Sequence, residues 1–294
     1  MTARFVAAVV FVVVTAVDAR GQERIGFERP EAWAMKYFTS ATVLSGLSTP
    51  DTLPPGSIAI QFESGWLPPL SAAQQRVGFN GATPQDLNKT PVFMRPRLAI
   101  GLPARMAIVA GVDPPVRAFG VTPRLVAVGI EGPIYDSSTW RVNWRAYGQT
   151  GSVTAAVTCP SGVLAFRPGS AGNPAGCTAE SSDETRLRYA GVELQLARRI
   201  GRRLLPHAAA GGHFVDTVFQ TNAQTFGEPD RTRLRTSGIA FAASAGVGYA
   251  VSERLAVSAD LFYAPLTVRR TPASPVTLDP MINGRVLVSY RVIK

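Results

Sequence analysis

The sequence predicts an all-β fold: an up-and-down antiparallel transmembrane β-barrel of ten strands, preceded by a short N-terminal helical segment. Three observations predict it. Apolar residues recur at every second position in ten separate stretches, the connections alternate between long and short, and the face opposite the apolar one carries charge. A strand turns successive side chains to opposite faces, so a period of two reads directly as two chemically different surfaces.

Residues 1–22 precede any folded element. Arg4, an unbroken apolar run over 5–14 and small residues up to Ala19 or Gly21 have the layout of a cleaved secretory signal. A membrane-spanning helix takes roughly 20 apolar residues, more than this run supplies, and no later stretch approaches that length. Residues 23–56 form a second unit, expected to stay in the periplasm or to plug the lumen. Pro30 stands at a first helical turn, and Trp33, Met35, Tyr37, Phe38, Val43, Leu44 and Leu47 follow, which predicts a helix over 31–40 with Gly46 as its stop.

From residue 57 to 294 the barrel pattern runs on. The predicted outward faces are Ile58, Ile60, Phe62 and Trp66; Met94, Leu98, Ile100 and Leu102; Met106, Ile108, Ala110 and Val112; Val126, Val128 and Ile130; and Trp140, Val142, Trp144 and Ala146. The second half supplies Ala190, Val192, Leu194 and Leu196; Ala208, Ala210 and Phe214; Phe241, Ala243, Ala245, Val247 and Tyr249; Leu255, Val257, Ala259, Leu261 and Tyr263; and Val286, Val288, Tyr290 and Val292. The connections at 67–91, 114–122, 151–185, 220–237 and 268–280 are long or medium, and those at 103–105, 135–139, 198–203 and 252–254 are short. Tight periplasmic turns and larger outer loops produce this rhythm. It implies an even strand number with both chain ends on the periplasmic side.

In a membrane barrel the apolar face meets lipid and the charges fill the lumen, where they must pair. The predicted lumen network is Glu63, Arg95, Arg97, Glu131, Arg141, Arg145, Glu193, Asp260 and Arg285. Outward aromatics near strand ends predict two interfacial girdles, from Trp140, Tyr249 and Tyr290 on one side and Trp66, Phe214 and Tyr263 on the other. Cys159 and Cys177 share one polar loop and read, in an exported chain, as a disulfide.

The formal net charge of +10 raises the question of nucleic acid, but the arginines are scattered along an exported chain and nucleic acid is not expected as a partner. No catalytic residue, cofactor or metal site is expected. His207 and His213 lie roughly 20 Å apart on one strand at the usual rise per residue. They cannot form one metal pair; His213 could meet Asp260 or Glu193 across strands. Loop 67–91 carries its own apolar residues, including Leu70 and Phe79, and is expected either to cap the lumen or to bind something outside.

Signal sequence, alternating loops and a final apolar-alternating strand ending in Val286, Val288, Tyr290 and Val292 together resemble bacterial outer-membrane β-barrel proteins. Lys294 stands where that group commonly has a terminal aromatic residue. The resemblance implies the Gram-negative outer membrane as location, after secretion to the periplasm, with outer-membrane lipid and the outer-membrane assembly machinery as partners. The expected function is non-enzymatic, structural or acting through extracellular loops. A narrow porin-like channel or a carrier for small or hydrophobic solutes is the alternative, and an outer-membrane hydrolase a weaker one.

Overall fold

The computed structural model describes residues 22–47 and 53–293. The secretory-signal run and Lys294 lie outside the described residues. Ten strands follow one another around the wall: β1 (Ile58–Trp66), β2 (Val92–Gly101), β3 (Ala107–Asp113), β4 (Val121–Asp136), β5 (Trp140–Ala155), β6 (Asp183–Arg198), β7 (Leu204–Gln220), β8 (Arg233–Ala250), β9 (Leu255–Ala264) and β10 (Met281–Ile293). Each pairs antiparallel with the next, and the sheet closes where Phe62 and Ile60 of β1 face Val288 and Tyr290 of β10. Closure leaves the ten strands without an unpaired first or last member.

The predicted faces are the observed ones. Ile60, Phe62, Met94, Leu98, Val128, Val192, Leu194, Phe241, Leu261 and Val286 are exposed on the outside, while the residues between them are buried inside. The wall is uneven in height. Strands β4 to β8 run for 16 to 18 residues, whereas β3 has 7 and stops at Pro114-Pro115, and β9 stops after 10 at Pro265. Proline cannot donate to a ladder, which sets both limits. Hydroxyls close two of the short turns: Ser137 Oγ accepts from Trp140 N at 2.9 Å, and Ser252 Oγ accepts from Leu255 N at 3.1 Å.

Helix α1 (Pro30–Ala41) lies inside the barrel. Nearly all of its residues are buried, and Trp33, Tyr37, Ala41, Val43 and Leu44 form one cluster with Tyr147, Tyr189, Ala242 and Phe262 from the wall. Ahead of the helix, Gln22–Arg24 pairs parallel with Arg233–Arg235 of β8. Register with β9 covers only Ala243–Ala250, so β8 projects past the end of β9, and the N-terminal strand covers that open edge.

This placement corrects one expectation. Gln22 sits at the long-loop end of the barrel, the chain descends inside the lumen as far as Leu47, and Gly56 donates its amide to Gly101 O at the short-turn end. The two ends of the described chain therefore lie at opposite mouths, because residues 22–47 run down inside the wall and residues 53–57 stand at its short-turn end. The helix extends one residue past the predicted 31–40 at each end, and it stops at Ala41 with Thr42 as its cap; Gly46, the predicted stop, lies in the descent below it.

Loop 67–91 folds back over the plug. Leu67, Leu70, Val77 and Leu87 are buried in the same cluster as Trp33, and Tyr37 Oη donates to Pro68 O at 3.0 Å. It caps the lumen. In loop 151–185, Cys159 and Cys177 are joined by a disulfide with their Cα atoms 5.6 Å apart.

Candidate functional site

Parity along each strand decides what enters the lumen. On β2, Met94, Leu98 and Ile100 face out, so Arg95 and Arg97 must face in. Their acidic partners arrive by register: Glu63 of β1 stands opposite Arg95, and Asp113 ends β3. Arg97 Nε donates to Glu63 Oε2 at 2.8 Å, and Arg95 donates through Nε and Nη2 to Asp113 at 3.2 and 3.0 Å. Gly111 makes room for this pair of arginines, since a Cβ there would stand 2.7 Å from Arg95 Cδ.

A second group lies one quarter-turn on. Arg145 of β5 bridges Glu131 of β4 at 2.6 Å and Glu193 of β6 at 2.9 Å, both brought opposite or adjacent by register. A third joins His207 Nε2 of β7 to Asp260 of β9 at 2.8 Å. Arg141 stands apart from these at the short-turn end, 3.7 Å from Asp136. Glu63, Arg95, Arg97, Arg141, Arg145, Glu193, Asp260 and Arg285 are buried, and Glu131 half-buried. Burying so many charges is costly unless each is paired and its remaining hydrogen bonds are met.

For Arg95, Arg145, Arg285, Glu193 and Asp260, further bonds go to the plug. Arg285 donates to Val43 O at 2.7 Å and Ser40 O at 2.8 Å, with its guanidinium 3.7 Å from the Phe262 ring. Arg95 donates to Thr42 O at 3.0 Å and Arg145 to Gly46 O at 2.7 Å. A helix leaves its last four carbonyls unpaired and carries partial negative charge at that end, so two arginines are matched to it in both respects. Acceptors meet the donors of the descending chain: Glu193 takes Ser45 Oγ, Asp260 takes Leu47 N at 2.9 Å, and Tyr189 Oη takes Leu44 N at 2.8 Å. At Gly46, φ is +70° and a Cβ would lie 2.6 Å from Ser244 Oγ and 2.7 Å from Asp260 Oδ2, so glycine is required there by conformation and by space.

The upper end of the helix is tied to the long loops. Glu31 accepts from Arg29 and from Asn80 N, Trp33 Nε1 donates to Asp279 O at 2.9 Å, and Lys36 Nζ donates to Thr267 O at 2.9 Å. Burial pushes the Lys36 ammonium down to about 8, against a smaller opposing pull from Glu28.

Sequence parity put the charged residues on one face but did not indicate that the backbone of 40–47 is what they bind. It also paired the wrong histidine with Asp260: His207 holds that carboxylate, while His213 packs edge-on to Tyr189 with ring centroids 6.0 Å apart. The six aromatics expected to form the girdles stand on the outward parity of their strands. Trp66 and Tyr263 lie at the long-loop end and Trp140, Tyr249 and Tyr290 toward the short turns, but Phe214 sits well down β7 because that strand continues to Gln220. Among the described residues, no group of three or more His, Cys, Asp or Glu could hold a metal ion.

Between the outer face of α1 and the loops lies a crevice of about 310 Å³. Met35, Phe38, Val77, Leu87, Phe219 and Leu234 line it, with Arg29, Glu31 and Asp230 around the mouth.

No protein-family model matches the chain, and no curated protein matches it. Among solved structures it is similar to the attachment invasion locus protein Ail of Yersinia pestis, with 12% identity over 81% of this chain and 98% of that one and a TM-score of 0.33. It is also similar to the outer membrane protease OmpT of Escherichia coli, at 10% identity over 80% and 94% with a TM-score of 0.39. The toluene transporter TodX of Pseudomonas putida aligns at 11% identity over 86% and 73% with a TM-score of 0.33. The strand pairings establish the fold without these likenesses.

Proposed function

We propose that the chain is a non-enzymatic integral barrel of the Gram-negative outer membrane, closed to solutes by its own N-terminal segment and acting through the cap at its outer end. The observation that carries this reading is the use of buried arginines and acids: five of them bind the backbone of residues 40–47 and hold it across the lumen. Membrane placement is supported by the apolar belt. Large exposed side chains such as Ile60, Val128, Leu194, Phe241 and Leu261 follow one another around the whole wall, far beyond the patches a soluble monomer exposes. A hydrolytic role is disfavoured by the histidines, both buried in the lumen away from the outer rim.

Planar-bilayer recording tests the proposal. Refolded protein is expected to be electrically silent, and deletion of residues 24–55 is expected to give steady conductance. Conductance of the intact chain equal to that of the deletion would end this reading. The crevice beside α1 favours a second reading, capture of small hydrophobic solutes at the outer end, since its volume is in the range of small-molecule sites and its lining is largely apolar.

A further inference from the structure

Charge on the outer wall is confined to one side. At the long-loop ends of β9, β10, β1, β2 and β3 the outward residues are Tyr263, Ile282, Trp66, Met94 and Val112, none of them charged. The taller strands differ. Arg124 of β4 and Arg186 of β6 both stand in register with Ser152 of β5 between them, all three on the outward parity. Arg188 lies one outward position below Arg186, immediately before the apolar stretch that starts at Ala190. Arg235 and Arg233 of β8 extend the row, Arg235 in register with Val218 of β7 and Val218 with Arg186.

Two of these five arginines are neutralised locally, Arg186 by Glu184 at 3.0 Å and Arg235 by Asp216 at 2.7 Å. Arg124 and Arg188 are exposed and make no ion pair among the described residues. Thr150 lies level with Arg188, between the Ser152–Arg186 and Gln149–Tyr189 pairs of β5 and β6, and Thr122, paired with Thr154, continues the hydroxyl surface above Arg124.

Taking the outer-membrane orientation proposed above, we infer that this face of β4 to β8 is a binding surface for a phosphorylated glycolipid of the outer leaflet. Phosphate supplies the anion that planar guanidinium groups grip through paired hydrogen bonds. Sugar hydroxyls match the serine and threonine positions between the arginines, and acyl chains lie along the Val126, Val128, Ala190 and Val192 surface directly below. A headgroup-level belt serving every lipid would surround the barrel, whereas these charges occupy half of it.

The test reconstitutes refolded protein into phosphatidylethanolamine vesicles containing bis-phosphorylated lipid A, extracts it in mild detergent, and counts retained lipid A by native mass spectrometry. Wild type is expected to retain lipid A, the R124Q/R188Q pair to lose about tenfold per arginine removed, and the exposed short-turn variant R105Q to behave as wild type. Lipid A stripped of its phosphates is expected not to be retained, and millimolar inorganic phosphate is expected not to displace the intact lipid. Equal retention by R124Q/R188Q, or displacement by free phosphate, overturns the inference; heat-modifiable gel migration confirms that each variant is folded. Wild type that stays out of the vesicles refutes the membrane orientation itself, a failure distinct from insertion without lipid retention.

Discussion

Replacing Arg285 by methionine removes the residue that ties the end of the plug helix to the wall. The guanidinium makes two short hydrogen bonds, to Val43 O at 2.7 Å and Ser40 O at 2.8 Å, and stacks 3.7 Å from Phe262. Charged hydrogen bonds contribute about 1.5–3 kcal/mol each, and a desolvated cation–π contact roughly 2. Against them stands the desolvation of a fully buried cation, several kcal/mol, which methionine escapes. Methionine keeps the volume and the ring contact but leaves helix-end carbonyls unpaired, so the net loss is expected at about 2–4 kcal/mol. Urea unfolding of protein refolded in lipid vesicles measures it, with bilayer recording of the same sample. R285M is expected to unfold at lower urea and to show openings that wild type lacks. A loss below about 1 kcal/mol with an unchanged silent bilayer would refute the idea that this arginine holds the plug.

Further predictions follow from other parts of the molecule. The chain ahead of α1 lies at the long-loop mouth, so Glu23→Cys is expected to react with a membrane-impermeant maleimide on intact cells, while Ser138→Cys in a short turn reacts only after permeabilisation. Removing the Cys159–Cys177 bridge, which spans a sequence separation of 18, is expected to cost its loop about 3 kcal/mol, read as faster proteolysis between 160 and 176 with barrel migration on gels unchanged. Lys36 titrates near 8 when folded and 10.5 when unfolded, so the unfolded chain holds its proton alone between those values. Stability is therefore expected to rise from pH 8 to 10.5 and to be lowest, for this group, below 8. K36M should flatten that rise, and an unchanged slope would show that Lys36 does not titrate in this range.

Much of the fold could be read from residue types alone. Period-two alternation is a strong signal because one slipped position would turn an arginine to lipid and a valine into the lumen, and the ten stretches all carry it. The loop rhythm then gave strand order, since neighbours joined by tight turns must pair. The lumen was legible at the level of faces: Glu63, Arg95, Arg97 and Arg145 are inward because their neighbours are greasy. Their partners were not, because register decides whether His207 or His213 reaches Asp260, and register is set by turns and bulges that residue types describe only loosely. Least legible was the route of residues 22–47. Trp33, Tyr37 and Leu44 announce burial without saying where, and the groups that receive Ser40, Thr42 and Val43 are side chains 53 to 245 residues away.

A string held inside a ring constrains the order in which the ring is made. The seam that closes the ring joins the first strand to the tenth, and the thread that occupies the hole precedes the first strand in the chain. If the seam closed first, the free end would have to be pushed upward through a bore lined with paired arginines and carboxylates, carrying Trp33 and Lys36 past each of them in turn. Seating the thread before the seam closes avoids that passage altogether, so the geometry couples the placing of residues 22–47 to the joining of the first strand with the tenth.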